Sequence, residues 1–256
     1  MGDGKPWRTE IADVKPNEIR VRGYDILDLI GNRTFGDVVF LLLAGDLPKG
    51  NEGRMIDALL VSASEHGLMA PSVDATRFVA SGGVPLQAAV ASGINAMGEY
   101  HAGAVDAGAR MLLEAAGLDM PAAEAGREIV KLYRKQKKVL SGYGHKLHDP
   151  DPRTARVMQV AKDLGFYGRF CELGFAVEDA TEEFFSKRLT MNIDGAMSCI
   201  MLELELDPGL GKAFYVIGRS AGLVAHAFEE LTRETPYRDI AWENVSYVGP
   251  APRDLP

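Results

Sequence analysis

Cysteine is scarce in this sequence, which has only Cys171 and Cys199 among 256 residues. Two cysteines at this spacing form neither a disulfide framework nor a paired metal motif, and no H-E-x-x-H segment is present. Residues 1–20 lack the apolar core of a signal peptide. The longest apolar runs, such as residues 38–44, are far too short to cross a bilayer. We therefore expect a reduced, cytoplasmic protein without a metal site and without a membrane segment.

Basic residues are also fewer than acidic ones. The sequence has 28 lysines and arginines and 36 aspartates and glutamates, which gives a net charge of −8. This balance argues against nucleic acid as the main partner. Hydrophobic residues make up 46% and charged residues 25% of the chain. That composition is typical of a folded globular protein and excludes disordered and collagen-like classes.

Alternating strand patterns are rare, and helical periodicity dominates the sequence. The spacing predicts an all-α protein, with at most a short hairpin near residues 8–23. The predicted helices cover residues 24–30, 35–44, 54–66, 84–97, 102–116, 121–138, 153–164, 178–187, 195–205 and 210–231. The strongest interruption is the glycine- and proline-rich segment 139–152, which predicts a hinge or a functional loop.

Few side chains in the sequence are suited to chemistry. Each of the five histidines, taken singly, fits a structural role, and His226 in particular reads as a core residue. Asp194, at the start of a helical pattern, fits a helix N-cap. Arg219 lies within an apolar helical pattern, where a buried guanidinium requires a partner. Its planar fork suits a carboxylate of the protein or of a substrate.

Read in order, several motifs resemble the citrate synthase superfamily, and within it the short citryl-CoA lyases and the citryl-CoA lyase module of ATP citrate lyase. The resemblance covers about residues 18–250. It is carried by RVRGYDILDLIGNRTFGDVVFLLLAGDLP (20–48), SASEHGLMAPSVDATRFVASGG (62–83), INAMGEYHAGAVDAGARML (94–112), SGYGHKLHDPDPR (141–153), NIDGA (192–196), VIGRSAGLVAHAFE (216–229) and PYRDIAWENVSYVGP (236–250).

The resemblance implies a role for each matching residue. His101 matches the histidine that hydrogen-bonds the enol oxygen of acetyl-CoA. His145 matches the histidine that polarises the ketone of oxaloacetate or holds the corresponding citryl hydroxyl. Asp194 matches the carboxylate that moves a proton to or from the acetyl methyl carbon.

The arginines follow the same resemblance. Arg153 and Arg219 match arginines that bind substrate carboxylates. Arg238 resembles an arginine that completes the site of the neighbouring subunit, although this match requires a one-residue shift against Trp242. Candidate CoA-binding residues are Gly142, Tyr143, Gly144, Lys146 and Lys137. The basic run at 134–138, to which Lys137 belongs, fits a solvated helix end equally well.

The resemblance further implies a citrate-synthase-like homodimer with a large and a smaller helical domain. We expect the large part at about 20–140 and 190–256, and the smaller part at about 141–190. The implied reaction is cleavage of (3S)-citryl-CoA to acetyl-CoA and oxaloacetate. No cofactor is expected, since CoA is part of the substrate.

Departures from the family pattern bear on the choice of reaction. Ala63 stands where synthases often have a histidine, and Lys146 follows the loop histidine where many relatives have arginine. The chain passes from residues 46–48 directly to the helix predicted at 54–66, whereas full-length citrate synthases have a large helical insertion there. This favours a lyase, and the alternative is a compact citrate or 2-methylcitrate synthase. Acyl specificity, the direction in the cell and an upstream acyl-CoA ligase partner are left open.

Overall fold

A three-stranded antiparallel sheet lies near the amino terminus of the computed structural model, which describes residues 7–255. Its strands are β1 (Ala12–Lys15), β2 (Glu18–Val21) and β3 (Tyr24–Asp25), in the order β1-β2-β3. Ala12 pairs with Val21 in the first hairpin. The hairpin predicted near residues 8–23 is confirmed.

Helices form most of the rest of the described chain. In residues 7–255 there are eleven α-helices: α1 Ile26–Leu29, α2 Phe35–Ala44, α3 Glu52–Ala63, α4 Pro71–Ser81, α5 Leu86–Asn95, α6 Ala104–Ala116, α7 Ala122–Lys135, α8 Pro152–Leu164, α9 Arg169–Phe185, α10 Ile193–Glu203 and α11 Gly211–Arg233. None of these helices is both long enough and apolar enough to cross a membrane. The fold is therefore mostly helical. It differs from the predicted all-α class only by the small sheet near the amino terminus.

Local sequence signals define α2 completely. Thr34 and Asp37 form a reciprocal capping box at its start. Gly45 ends it in the left-handed conformation with φ 97°, which glycine adopts without steric cost. The predicted bounds of 35–44 are therefore confirmed.

Three other helical predictions require correction. The pattern at 24–30 is divided between β3 and the single turn of α1. The sequence reading missed α4, because several polar residues that this helix buries obscure its apolar face. The helix predicted at 178–187 corresponds to α9, which begins nine residues earlier, at Arg169. The carboxylate of Glu203, distant in sequence, accepts hydrogen bonds from the amides of Phe170 at 2.7 Å and Cys171 at 3.2 Å and so caps the start of α9.

The chain divides into two compact units. The first comprises Met1–His66 and Met97–Gly222, and the second comprises Gly67–Ala96 and Leu223–Pro256. The predicted smaller part at 141–190 is not separate in this division, because α8 and α9 pack against α3, α7 and α10 within the first unit. The boundaries expected from the resemblance therefore do not coincide with the division that the contacts make.

Helix α10 lies in the core of the first unit. Ile193 and residues 195–202 are all buried, as expected for a helix whose central sequence carries no charge. It packs against α6, α8 and α9. Because its interior is surrounded by protein, side chains at its first turn are held in a defined position.

The second unit contains a buried ion-pair network between α4, α11 and the segment that follows it. Glu230 accepts a hydrogen bond from Arg77 Nε at 2.6 Å and two from Arg238, from Nε at 2.6 Å and from Nη2 at 2.8 Å. The Glu230 side chain is fully buried. Burial opposes its charge, but the bonds from Arg238 and Arg77 outweigh this effect and lower the pKa of Glu230.

We expect Glu230→Ala to destabilise the protein by about 3 kcal/mol or more, because it leaves Arg77 buried without its main partner. Glu229→Ala is the matched control, since Glu229 is 3.9 Å from Arg77 and its side chain is 46% exposed. Urea unfolding followed by circular dichroism measures both variants. Equal losses of unfolding free energy in the two variants would contradict the importance of the Glu230 network.

Candidate active site

A backbone pairing brings the loop after α7 to the start of α10. Tyr143 forms an antiparallel bridge with Met191. The Gly144 amide donates to the carbonyl of Thr190 at 2.7 Å, and the Asn192 amide donates to the carbonyl of Gly142 at 2.9 Å. These bonds join the segment that carries His145 to the segment that carries Asp194.

Glycine is required on both sides of this junction. Gly142 has φ +90°, and a Cβ placed there would lie 2.6 Å from Gly195 Cα. A Cβ at Gly195 would lie 2.4 Å from the carbonyl oxygen of Gly142. Both contacts are with backbone, which cannot move aside as a side chain can. The two segments therefore approach this closely only because neither residue has a side chain.

Asn192, and not Asp194, caps α10. Its side-chain oxygen accepts hydrogen bonds from the amides of Asp194 at 2.9 Å and Gly195 at 3.3 Å. Its side-chain nitrogen donates to the carbonyl of Gly144 at 2.6 Å. The N-cap interpretation of Asp194 is therefore wrong. With that task taken by Asn192, the Asp194 carboxylate is available for chemistry.

Asp194 is held by a phenol. The Tyr215 hydroxyl donates to Asp194 Oδ1 at 2.5 Å. Burial raises the pKa of Asp194, and the Tyr215 bond and the charge of Arg153 only partly offset this effect. The protonated form of this carboxyl is thus more populated than that of an ordinary aspartate.

The hydrogen bonds of His145 determine its tautomer. Its Nδ1 accepts from the amides of Leu147 and His148, both at 3.0 Å. Because Nδ1 serves as an acceptor, the proton of the neutral ring is assigned to Nε2. Burial lowers the pKa of His145 below its ordinary value of 6.5. At neutral pH the ring is therefore neutral and has an Nε2–H donor.

Two further histidines lie against His145. The ring of His148 is 4.7 Å from it and the ring of His66 is 5.5 Å from it, centroid to centroid. One ring nitrogen from each of the three histidines lies within 4.8 Å of the others, a spacing that a metal ion could use. The charges of Arg153 and Arg219 act on His66, adding to the effect of burial in lowering its pKa. These two guanidinium charges oppose a cation, so the surroundings favour an anion.

Arg153 is positioned by Asp151. Arg153 Nε donates to Asp151 Oδ1 at 3.1 Å, and Arg153 Nη2 donates to Asp151 Oδ2 at 2.8 Å. Asp151 Oδ2 also accepts from the amide of Ile193 at 3.2 Å. Burial opposes the charge of Asp151, but the bonds to Arg153 prevail and lower its pKa. The pair ties the orientation of Arg153 to the first residue of α10.

Arg219 has the buried position that the sequence predicted, with 1% of the residue exposed. Its Nε donates to the carbonyl of Ala63 at 2.7 Å. Its Nη1 is buried and has no hydrogen-bond partner within residues 7–255. A buried guanidinium nitrogen without a partner is costly, and a bound carboxylate would satisfy it.

These side chains surround one cavity of about 180 Å³ within the first unit. His101, half-buried in its lining, has a pKa that burial and the charge of Arg219 lower. The lining residues relevant to chemistry are His66, His101, His145, Arg153, Asp194, Tyr215 and Arg219. All three predicted catalytic residues and two of the three predicted arginines are therefore brought together.

The other predicted residues lie elsewhere. Arg238 is in the second unit, paired with Glu230. The Tyr143 side chain is buried, and its hydroxyl donates to the carbonyl of Gly174 at 2.8 Å. Lys146 and Lys137 are exposed and do not line the cavity. Their assignment to CoA stays a prediction, and Tyr143 has a packing role in this structure.

Two larger open depressions, of about 530 and 650 Å³, share a rim around Glu203. Their lining contains acidic and apolar side chains, with Lys49 in one and Arg169 in the other, but no histidine. The smaller cavity is thus the candidate active site, because acid, base and anion-binding groups converge there.

Sequence reasoning missed three contributors to this site: His66, Asp151 and Tyr215. His66 and Asp151 lie within the quoted motifs. The contact of His66 with His145 and that of Asp151 with the Ile193 amide are distant in sequence, whereas the Asp151–Arg153 pair is only two residues apart. Tyr215 precedes Arg219 by one helical turn on α11. That i, i+4 spacing is the signal that could have placed both side chains on one face.

A cavity in which histidines, a carboxyl of raised pKa and two arginines converge is typical of an enzyme that uses acid–base chemistry. Comparison with known proteins identifies the family. Residues 50–239 match the model of the citrate synthase C-terminal domain, which is more than half of the chain. The chain belongs to the citrate synthase family, and the resemblance recognised from the motifs is confirmed.

Solved structures agree with this assignment. The citryl-CoA lyase of Hydrogenobacter thermophilus is 42% identical, with 98% of each chain covered and a TM-score of 0.92. The ATP citrate lyase of Methanothrix soehngenii, solved with citrate and coenzyme A, is 22% identical over 98% of this chain and 43% of that one, with a TM-score of 0.84. The second similarity demonstrates the shared fold.

Curated relatives are longer than this chain. ATP-citrate synthase subunit 1 of Sordaria macrospora is 24% identical over 261 residues, which are 94% of this chain and 38% of that protein. The chain therefore spans less than half of the length of this relative.

The glycine junction generates a prediction with an internal control. Gly142→Ala should reduce turnover by at least about a hundredfold, because its Cβ meets backbone and separates His145 from Asp194. Gly144→Ala is the control: it also has positive φ, +75°, but its Cβ meets only a Leu189 side-chain atom at 3.9 Å. Steady-state kinetics with melting curves compares the two. Similar kinetic losses in both variants would show that backbone strain, and not the close approach, matters.

Proposed function

We propose that the chain cleaves (3S)-citryl-CoA to acetyl-CoA and oxaloacetate. The observation that carries the proposal is the cavity in which Arg219 Nη1 lacks a partner beside Asp194, a carboxyl of raised pKa. The similarity to a citryl-CoA lyase over 98% of both chains supports the same reaction. The oxaloacetate half of this substrate carries carboxylates, and the acetyl half must accept a proton on carbon.

Arg219 and Arg153 hold the carboxylates in this proposal. The unpartnered nitrogen of Arg219 offers one charge-assisted hydrogen bond. Asp151 holds Arg153 and sets the angle of its guanidinium. Binding through two fixed arginines orients the bond to be broken without a role for either arginine in proton transfer.

Cleavage of the carbon–carbon bond moves electrons toward the thioester. The citryl hydroxyl becomes the ketone of oxaloacetate as the acetyl half becomes an enolate. His101 is the donor to the enolate oxygen, and the Nε2–H of His145 polarises the oxygen that becomes the ketone. The hydroxyl proton passes to His66, because burial lowers its pKa and so favours the neutral ring that can accept a proton. His145 is not the acceptor, since its Nε2 already has a proton and its Nδ1 accepts from two amides.

Asp194 completes the reaction by giving its proton to the enolate carbon. A carboxyl with an ordinary pKa is mostly ionised at neutral pH and cannot serve as the acid. Burial raises the pKa of Asp194 and so favours the protonated form that can act as the acid. One proton leaves oxygen and one is added to carbon, so the reaction is balanced without water, and it requires no metal or prosthetic group.

Lys146 and Lys137 are proposed to neutralise phosphates of the CoA moiety, since both are exposed cations. A compact citrate or 2-methylcitrate synthase is the alternative function. It would use the same residues in the reverse direction and add thioester hydrolysis. Incubation with citryl-CoA, and separately with acetyl-CoA plus oxaloacetate, separates the two. Oxaloacetate without free CoA supports the lyase, whereas steady thiol release with citrate formation would establish the synthase.

Asp194→Asn should reduce citryl-CoA cleavage by about 10²–10⁴-fold, the usual contribution of a positioned general acid. The change is nearly isosteric, so the fold should be retained. Asp163→Asn, at an exposed site on α8, is the control and should retain full activity. Oxaloacetate release measures both. Residual activity of Asp194→Asn within about tenfold of wild type, about 1.4 kcal/mol in barrier, would exclude Asp194 as the proton carrier.

We also propose a homodimer in which Arg238 contributes to the site of the partner chain, as the resemblance implies. Its side chain is 39% exposed, although Glu230 holds two of its nitrogens. Mixing Arg238→Ala chains with Asp194→Asn chains under subunit exchange should restore one working site in each heterodimer. No recovery despite proven exchange would restrict Arg238 to its structural pairing with Glu230.

A further inference from the structure

Tyr215 lines the cavity, but it lies outside the quoted motifs and has no role in the proposed chemistry. Its hydroxyl donates to Asp194 Oδ1 at 2.5 Å, the distance of a strong charge-assisted bond. The residue is 6% exposed. A phenol that donates to one oxygen of a carboxyl makes the two oxygens inequivalent.

The surroundings of Tyr215 restrict where its hydroxyl can point. Arg219 lies one helical turn later on α11, and its guanidinium carbon is 5.7 Å from the centroid of the Tyr215 ring. A buried tyrosine has only two side-chain torsions, so a packed ring fixes the position of its oxygen. The hydroxyl is therefore held at Asp194 before substrate binds.

We propose that Tyr215 is a positioning residue for Asp194: it occupies Oδ1 and thereby makes Oδ2 the oxygen that exchanges the proton. The phenol binds Oδ1, so Oδ2 is the carboxyl oxygen that Tyr215 leaves unoccupied. A neutral carboxyl that accepts the phenol at Oδ1 has its own proton on Oδ2. In the proposed cleavage reaction, this orientation directs the acidic proton toward the enolate carbon, so this part of the inference rests on the proposed function.

The same bond stabilises the carboxylate that remains after the proton has left. Burial opposes that charge and acts most strongly, and the neighbouring Asp151 opposes it too. Tyr215, Arg153 and His145 favour it. Tyr215 is the largest of these favourable influences, so its loss should make Asp194 hold its proton to a higher pH.

The test measures the titration of Asp194 without substrate. The protein is labelled with ¹³C at aspartate side chains, and the signal that Asp194→Asn removes identifies Asp194. In Tyr215→Phe the titration midpoint should rise by about one pH unit, as expected for loss of a hydrogen bond to a charged group. An unchanged or lower midpoint would overturn the inference. This readout stands even if citryl-CoA is not the substrate.

Tyr133→Phe is the matched control. Tyr133 also donates to a carboxylate, Glu114 Oε2 at 3.0 Å, but it lies outside the cavity lining. It should leave the Asp194 midpoint and the activity unchanged, and a shift as large as that of Tyr215→Phe would overturn the inference.

Two further measurements separate positioning from mere support of the fold. In the pH profile of kcat for cleavage, the limb due to the acid should move to higher pH in Tyr215→Phe. A uniform loss at every pH would reveal a structural role and overturn the inference. 3-Fluorotyrosine placed at position 215 keeps the ring and the hydroxyl but is a stronger donor. It should lower the Asp194 midpoint, and no change would again overturn the inference.

Discussion

The close backbone contact between Gly142 and Gly195 is the constraint on which the site depends. It lets Asn192 cap α10 and hold the carbonyl of Gly144 at the same time. One junction thus places His145 opposite Asp194, although 49 positions separate them in the chain. A side chain at either glycine would displace backbone, which explains why a mostly helical protein has an irregular segment at this point.

The electrostatics of the cavity follow from its burial. Low exposure pushes the histidines toward their neutral form and Asp194 toward its protonated form. The arginines keep their charge, since a guanidinium does not lose its proton in proteins. The result is a cavity whose arginines favour an anion while burial favours the uncharged forms of Asp194 and the histidines, a combination that water would not maintain.

Agreement between prediction and structure depended on how local each signal was. The bounds of α2 were predicted because its capping box and terminal glycine lie within the helix and beside it. The start of α9 was not predicted, because the side chain that caps it, Glu203, is distant in sequence. Helix α4 was missed because its buried face includes Arg77, whose charge is balanced by Glu230 on another helix. From sequence alone, a polar residue is expected to be exposed, because the partner that would allow its burial is not known.

The sequence by itself determined the family and the helical class, because the motifs that carry them are short and stand in a fixed order. It also singled out His101, His145, Asp194, Arg153 and Arg219, which the structure brings to one cavity. Only the tertiary structure decided that Tyr215 holds Asp194, that His66 joins His145 and that Arg238 pairs with Glu230. Each of these contacts joins side chains whose proximity depends on how helices pack. Distance in space, which sets the strength of a hydrogen bond or a charge interaction, is not encoded by the spacing of residues along the chain.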